Sequence, residues 1–219
     1  NFNNTDHDVT VLTHEAGHAF QCYQSRNQPI NRYLWPTYEA CEIHSMSMEF
    51  LTWDWMHLFF KEDTDKFLFK HLAGSLSFLP YGALVDHFQH WVYENPEANP
   101  KERKIQWLSL EKIYQPGKDY DNLDFLKNGG FWQKQAHIYE MPFYYIDYTL
   151  AQICAFQFWI RMQEDKESAW TDYLKLCKAG GSMSFLDLVK LAGIKSPFDP
   201  KVFEEVANKI NDWLKNNSL

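Results

Sequence analysis

The sequence predicts an all-α fold, and three observations carry that reading. Apolar residues recur at intervals of three and four, the period of one helix face. Glycine and proline number only nine each in 219 residues, so the stretches between breaks are long. No segment alternates apolar and polar residues in the way a half-buried strand does. With 45% hydrophobic and 17% aromatic residues the chain can fill a substantial core, and it is read as one domain over residues 1–219.

The first helix is expected over residues 9–23, broken by the following segment with Pro29 and Pro36. Thr37 offers an N-cap to a long second helix over residues 38–60. A turn at 62–65 leads into a helix over 65–93, with a kink expected at Pro80. Asn99-Pro100 puts a cap ahead of a proline at the first helical position, opening a helix that runs to Tyr114 and stops before Pro116-Gly117. Residues 115–130 read as a loop closed by Gly129-Gly130, and 131–140 as a short helix. Pro142 is expected to open a long aromatic helix that continues to Glu164. Helices over 166–178, 184–191 and 199–213 complete the chain, the second of them capped by Ser184 with Asp187.

Charge and composition exclude several classes of function. Lys and Arg total 21 against 29 Asp and Glu, a net charge of −8, and the basic residues are scattered, so no nucleic-acid partner is expected. No run of about 18 apolar residues is present and the first residues are polar, so neither a membrane segment nor a signal sequence is expected. The four cysteines form no CxxC pair and read as reduced, buried thiols, which together with the rest predicts a cytoplasmic protein. The chain opens on Asn and its strongest motif begins only thirteen residues in, from which loss of upstream sequence is expected.

That motif is His14-Glu15-Ala16-Gly17-His18, set in the apolar run Val9 to Leu12 and Ala19-Phe20. Residues four apart lie one turn apart on a helix, so both imidazoles can meet one Zn²⁺. Glu15 falls beside that face, where a carboxylate can take the proton of an attacking water as general base. Three polar side chains on an otherwise apolar helix need a partner to offset desolvation, and a metal is such a partner. The positions three and six past His18 are Gln21 and Gln24, which excludes a third histidine of the metzincin kind. A glutamate is expected instead, and Glu39, Glu42 and Glu49 share roughly one face of the second helix. Spacing does not choose among them.

His14 to Phe20, followed by Tyr38-Glu39-Ala40-Cys41-Glu42-Ile43-His44-Ser45-Met46-Ser47-Met48-Glu49-Phe50, resembles the thimet oligopeptidase and oligoendopeptidase F family of zinc metallopeptidases, closest to the oligoendopeptidase F side. The family pattern of Glu-x-x-Ser with a second Glu seven residues after the first is met by Glu42, Ser45 and Glu49. The resemblance implies His14, His18 and Glu42 as ligands of one Zn²⁺, Glu15 as base, and Glu49 as the group orienting a ligating imidazole. It extends to His137-Ile138-Tyr139 and Pro142 to Tyr148, similar to the family's late His and Tyr-x-x-Tyr segment. By that resemblance His137, Tyr145 and Tyr148 donate hydrogen bonds to the oxyanion, with Tyr139 and Tyr144 as alternatives. A zincin-type catalytic domain cleaving internal bonds of short oligopeptides is implied. Family members are longer, with a helical upstream half that walls a deep channel.

Two other readings stand beside this one. A zinc-stabilised helical module that binds peptides without cutting them is the alternative function. Asp86-His87-Phe88-Gln89-His90 looks metal-like, but its spacing on a helix fits packing or surface histidines better. His7, His44, His57 and His71 have no partner that the sequence names, although His44 lies two residues after Glu42.

Overall fold

A computed structural model describes residues 2–218, which form helices and turns and no strand. The helices are α1 (Asp6–Ser25), α2 (Tyr38–Leu51), α3 (His57–Phe60), α4 (Thr64–Glu94), α5 (Pro100–Tyr114), α6 (Asp124–Lys127), α7 (His137–Glu140), α8 (Tyr145–Glu164), α9 (Lys166–Ala179), α10 (Phe185–Leu191) and α11 (Pro200–Asn216). The all-α expectation holds throughout these residues.

Four elements differ from their expected bounds, each for a local reason. α1 starts at Asp6 because the Asp8 carboxylate accepts from the backbone N–H groups of Thr5 and Asn3, at 2.9 and 2.8 Å. The N-cap donor of Thr5 is thereby satisfied a turn earlier than the apolar pattern announces. α2 ends at Leu51 rather than near residue 60. The backbone leaves the helical region at Thr52 (φ −91°, ψ 2°), whose N–H makes the last bond of the ladder to the Met48 carbonyl at 3.1 Å. The chain then passes through a 3₁₀ turn, Trp53–Trp55, into α3, which stops where Lys61 takes a positive φ of 49°. Residues 131–140 divide into a 3₁₀ turn, Phe131–Lys134, and α7. α8 opens at Tyr145 rather than at Pro142, since Phe143 holds a left-handed φ of 65° that no helix accepts. Its N–H donates to the Gln89 side chain at 2.9 Å.

The chain divides into two compact units. Unit 1 comprises the residues up to Leu76 and those from Leu150 onward; unit 2 is Ser77–Thr149. The boundaries fall inside α4 and α8. In α4 the boundary lies in the turn where Pro80 lacks the N–H that the Leu76 carbonyl would accept.

In unit 1 the core is built from fully buried Ile43, Met56, Phe156, Tyr173, Leu188 and Ile210. α1 packs on α2 and α9. The face it buries is the i, i+4 row Thr13, Gly17, Gln21 and Ser25. Gly17 sets how closely the two helices approach. A Cβ there would stand 2.6 Å from the Ser45 Cα and 2.8 Å from the His44 carbonyl oxygen. Gln21 and Ser25 both donate to the Leu34 carbonyl, at 3.0 and 2.7 Å, tying the α1–α2 connection back onto α1. Tyr173 on α9 donates its hydroxyl to the His44 carbonyl at 2.9 Å, backing α2 from its other side.

Unit 2 has its own aromatic core of Leu84, Val85, Phe88, Trp107, Trp132 and Tyr145, buried with Leu110. Edge-to-face pairs dominate it, such as Phe88 with Trp107 at 5.2 Å and 89°, the arrangement the ring quadrupole favours.

Candidate metal centre

His14 and His18 extend from one face of α1, half-buried, their ring centroids 5.1 Å apart and nearly perpendicular. Glu42 comes from α2 across the contact that Gly17 permits. Its Oε2 lies 3.1 Å from His14 Nε2 and 3.4 Å from His18 Nε2, and the three donor atoms all fall within 4.8 Å of one another. Glu42 is 4% exposed, and the Ser45 hydroxyl donates to its Oε2 at 2.8 Å, which holds the carboxylate in place. The Trp35 ring lies 5.5 Å from that of His18 and flanks the cluster.

Glu49, seven residues after Glu42, faces His14 from the other side. Its Oε1 is 2.7 Å from His14 Nδ1, and its Oε2 is 2.7 Å from His71 Nε2. Of the three glutamates that share this helix face, Glu42 therefore meets both imidazoles, Glu49 meets the far nitrogen of one, and Glu39 is no part of the group. Sequence reasoning gave His71 no partner. It stands 22 residues beyond Glu49 across the break after α2, where no spacing rule applies.

The electrostatics test whether a cation fits. Burial alone would lower the His14 pKa, but hydrogen bonds to Glu42 and Glu49 outweigh it and push the value up to about 10. For Glu49 burial acts to raise the pKa, and the hydrogen bonds from His14 and His71 hold it below the usual carboxylate range. The two carboxylates thus favour a positive charge on His14 between them. Two imidazole nitrogens and one carboxylate oxygen are also the donor set that suits zinc, so the residues fit the ion.

Glu15 projects from the exposed side of α1, and its carboxylate makes no hydrogen bond or ion pair with a described residue. His44 is not among the converging donors. It is fully buried, with Nδ1 3.2 Å from the Cys41 carbonyl, and burial depresses its pKa to about 4. Asp86 and His90 approach to 3.5 Å while His87 pairs with the Tyr114 hydroxyl. Among the described residues no second trio of metal donors converges.

Within unit 2, His137, Tyr145 and Tyr148 gather at the start of α8 beside α7. The His137 ring centroid is 5.1 Å from Tyr145 and 5.6 Å from Tyr148, and His137 Nε2 is 3.3 Å from the Tyr148 hydroxyl. Gln135, which the sequence did not single out, puts its amide nitrogen 2.7 Å from His137 Nδ1. Tyr144 lies beside Tyr148 at 5.0 Å, whereas Tyr139 leaves the group and stacks on Trp132 at 5.8 Å. Burial pushes the Tyr145 phenol up to about 12, so it stays a proton donor at neutral pH.

A profile of peptidase family M3 matches residues 1–207. An oligoendopeptidase F homolog of Borreliella burgdorferi is 26% identical over 198 residues, which are 85% of this chain and 32% of the relative. One from Mycoplasma genitalium is 25% identical over 231 residues, covering 98% of this chain and 37% of the relative. Among solved structures, PZ peptidase A with inhibitor 2 is 60% identical, with a TM-score of 0.96 over 99% of this chain and 38% of its own. The chain spans about a third of the length of the curated relatives it matches. With the profile extending over nearly all its residues and these relatives in agreement, the chain belongs to peptidase family M3, on its oligoendopeptidase F side.

Proposed function

We propose that residues 1–219 form the catalytic portion of a zinc-dependent endopeptidase acting on internal bonds of short oligopeptides. The observation that supports it is the convergence of His14 Nε2, His18 Nε2 and a buried Glu42 oxygen within 4.8 Å. His14, His18 and Glu42 would hold the ion, which supplies acidification of a water and polarisation of the scissile carbonyl. Glu15, next to His14 on α1, takes the proton of the attacking water and returns it to the leaving amine. His137, Tyr145 and Tyr148 offer N–H and O–H groups to the oxyanion of the tetrahedral state. Removing one such donor, as in Tyr148→Phe, is expected to lower kcat about a hundredfold with KM little changed, read from initial rates on a quenched-fluorescent peptide. The four cysteines are free, which supports a reducing, cytoplasmic setting.

The test is metal content by elemental mass spectrometry on protein purified without chelator, followed by incubation with quenched peptides and with a folded protein. Near one zinc per chain and cutting of peptides alone is the expected result. Zinc with peptide binding but no cleavage after prolonged incubation would favour the non-catalytic module. Near zero zinc, persisting after zinc is restored, sinks both.

A further inference from the structure

Glu49 reaches beyond His14. Its Oε2 lies 2.7 Å from His71 Nε2, and His71 Nδ1 lies 3.0 Å from the indole nitrogen of Trp53. An indole N–H only donates and a carboxylate only accepts, so each proton in the row has one place. Trp53 gives its hydrogen to His71 Nδ1, which must therefore present a lone pair. The ring proton of His71 then sits on Nε2 and goes to Glu49. Glu49 Oε1 accepts in turn from His14 Nδ1 at 2.7 Å, so Nε2 is the His14 nitrogen left for the site, 3.1 Å from Glu42. Any proton there is the one a metal displaces, while the Nδ1 proton stays on His14, donated to Glu49.

We propose that His71, pinned by Trp53, is a positioning residue of the metal centre: it holds Glu49 on His14 and so fixes the imidazole tautomer whose free nitrogen faces the metal. The row is built to keep one geometry. The His71 side chain is 6% exposed and that of Glu49 10%, so neither can exchange its partner for water. Phe67 stacks on the His71 ring at 5.6 Å and 7°, and Phe50 packs against it at 4.8 Å. Without the His71 proton, one buried oxygen of Glu49 has no donor and the carboxylate is free to swing away from His14. Without the indole N–H, His71 can move its own proton to Nδ1 and turn a lone pair on Glu49.

The inference rests on the zinc reading above, and its test separates the two. The metal-free chain is titrated with zinc against a fluorescent chelator, first unaltered and then as variants. His71→Phe is expected to weaken zinc binding about 10- to 100-fold, the usual effect of losing a group that orients a ligand. His71→Gln, whose amide can still donate to Glu49, is expected to stay within about fivefold of the unaltered chain. A role in packing alone predicts the reverse order, because Phe keeps a ring and Gln does not. Trp53→Phe keeps an aromatic in the core but removes the indole N–H together with part of the ring, and is expected to cost about tenfold. Long-range ¹H–¹⁵N spectra of histidine-labelled, zinc-loaded chain should show the His14 proton on Nδ1 alone in the unaltered protein and a mixture in His71→Phe. His71→Phe binding zinc as tightly as the unaltered chain overturns the inference, and so does His71→Gln binding as weakly as His71→Phe. An unaltered chain that takes up no zinc overturns the proposed function as well, a failure visible in the first titration.

Discussion

Glu15→Gln is expected to retain one zinc per chain and to lose turnover by about 10³- to 10⁴-fold. The two side chains have nearly the same shape, and Glu15 is exposed without a hydrogen bond or ion pair to a described residue. Stability should therefore change by no more than about 0.5 kcal/mol. What the amide lacks is an oxygen that can hold a proton. Under the proposed mechanism that proton must leave the attacking water and arrive on the leaving amine, and the two other carboxylates of the cluster are not free for the task. Glu42 and Glu49 are committed to the imidazoles at 2.7–3.4 Å. Zinc content and kcat/KM on the same preparation check the prediction. A variant within tenfold of the unaltered protein would remove Glu15 from the mechanism.

The second large effect is expected from one methyl group. Gly17→Ala should weaken zinc binding by up to about 30-fold while far-UV circular dichroism shows the helices retained. Two opposed terms decide the outcome. Alanine in a helix interior is favoured over glycine by about 1 kcal/mol. Overpacking costs about 1–3 kcal/mol, and here the obstacle is the Ser45 Cα and His44 carbonyl of α2, at 2.6 and 2.8 Å from the new Cβ. Backbone does not step aside as a side-chain tip does, so α1 and α2 must separate, and His14 and His18 retreat from Glu42. Gly74→Ala in α4 is the control, because nothing lies within 4 Å of its Cβ position. That variant is expected to gain up to about 1 kcal/mol in a thermal melt and to bind zinc unchanged. Equal zinc affinities in the two variants would show that helix separation is not what Gly17 controls.

Much of this was legible in the sequence, and the illegible part has physical causes. The pairing of His14 with His18 follows from helix periodicity alone. The choice between Glu42 and Glu49 does not, since offsets of three and seven share a face, and only the placement of α1 over α2 separates them. The end of α2 was missed because Thr52 is unremarkable by propensity, and the backbone nonetheless leaves the helical region there, at φ −91° and ψ 2°. The start of α8 was missed because a bulky residue, Phe143, occupies a conformation usually left to glycine. His71 was invisible for a different reason. Its partner lies across a chain reversal, and contacts of that kind obey packing rather than spacing.

The interruption of unit 1 by unit 2 bears on the order in which the protein can be made. His14, His18 and Glu42 lie on two successive helices, so only a short loop must close to bring them together, at little entropic cost. Their backing does not share that economy. α9 supports α1 and α2, and it follows Leu150, so it leaves the ribosome only after all of Ser77–Thr149. During synthesis the hairpin of α1 and α2 can therefore exist for as long as an intervening unit takes to emerge, with its supporting helix still missing. The Tyr173 hydroxyl reaching the His44 carbonyl marks the moment the scaffold is completed. On this order of events, full rigidity of the donor set comes with the last third of the chain and not with the motif that announces it.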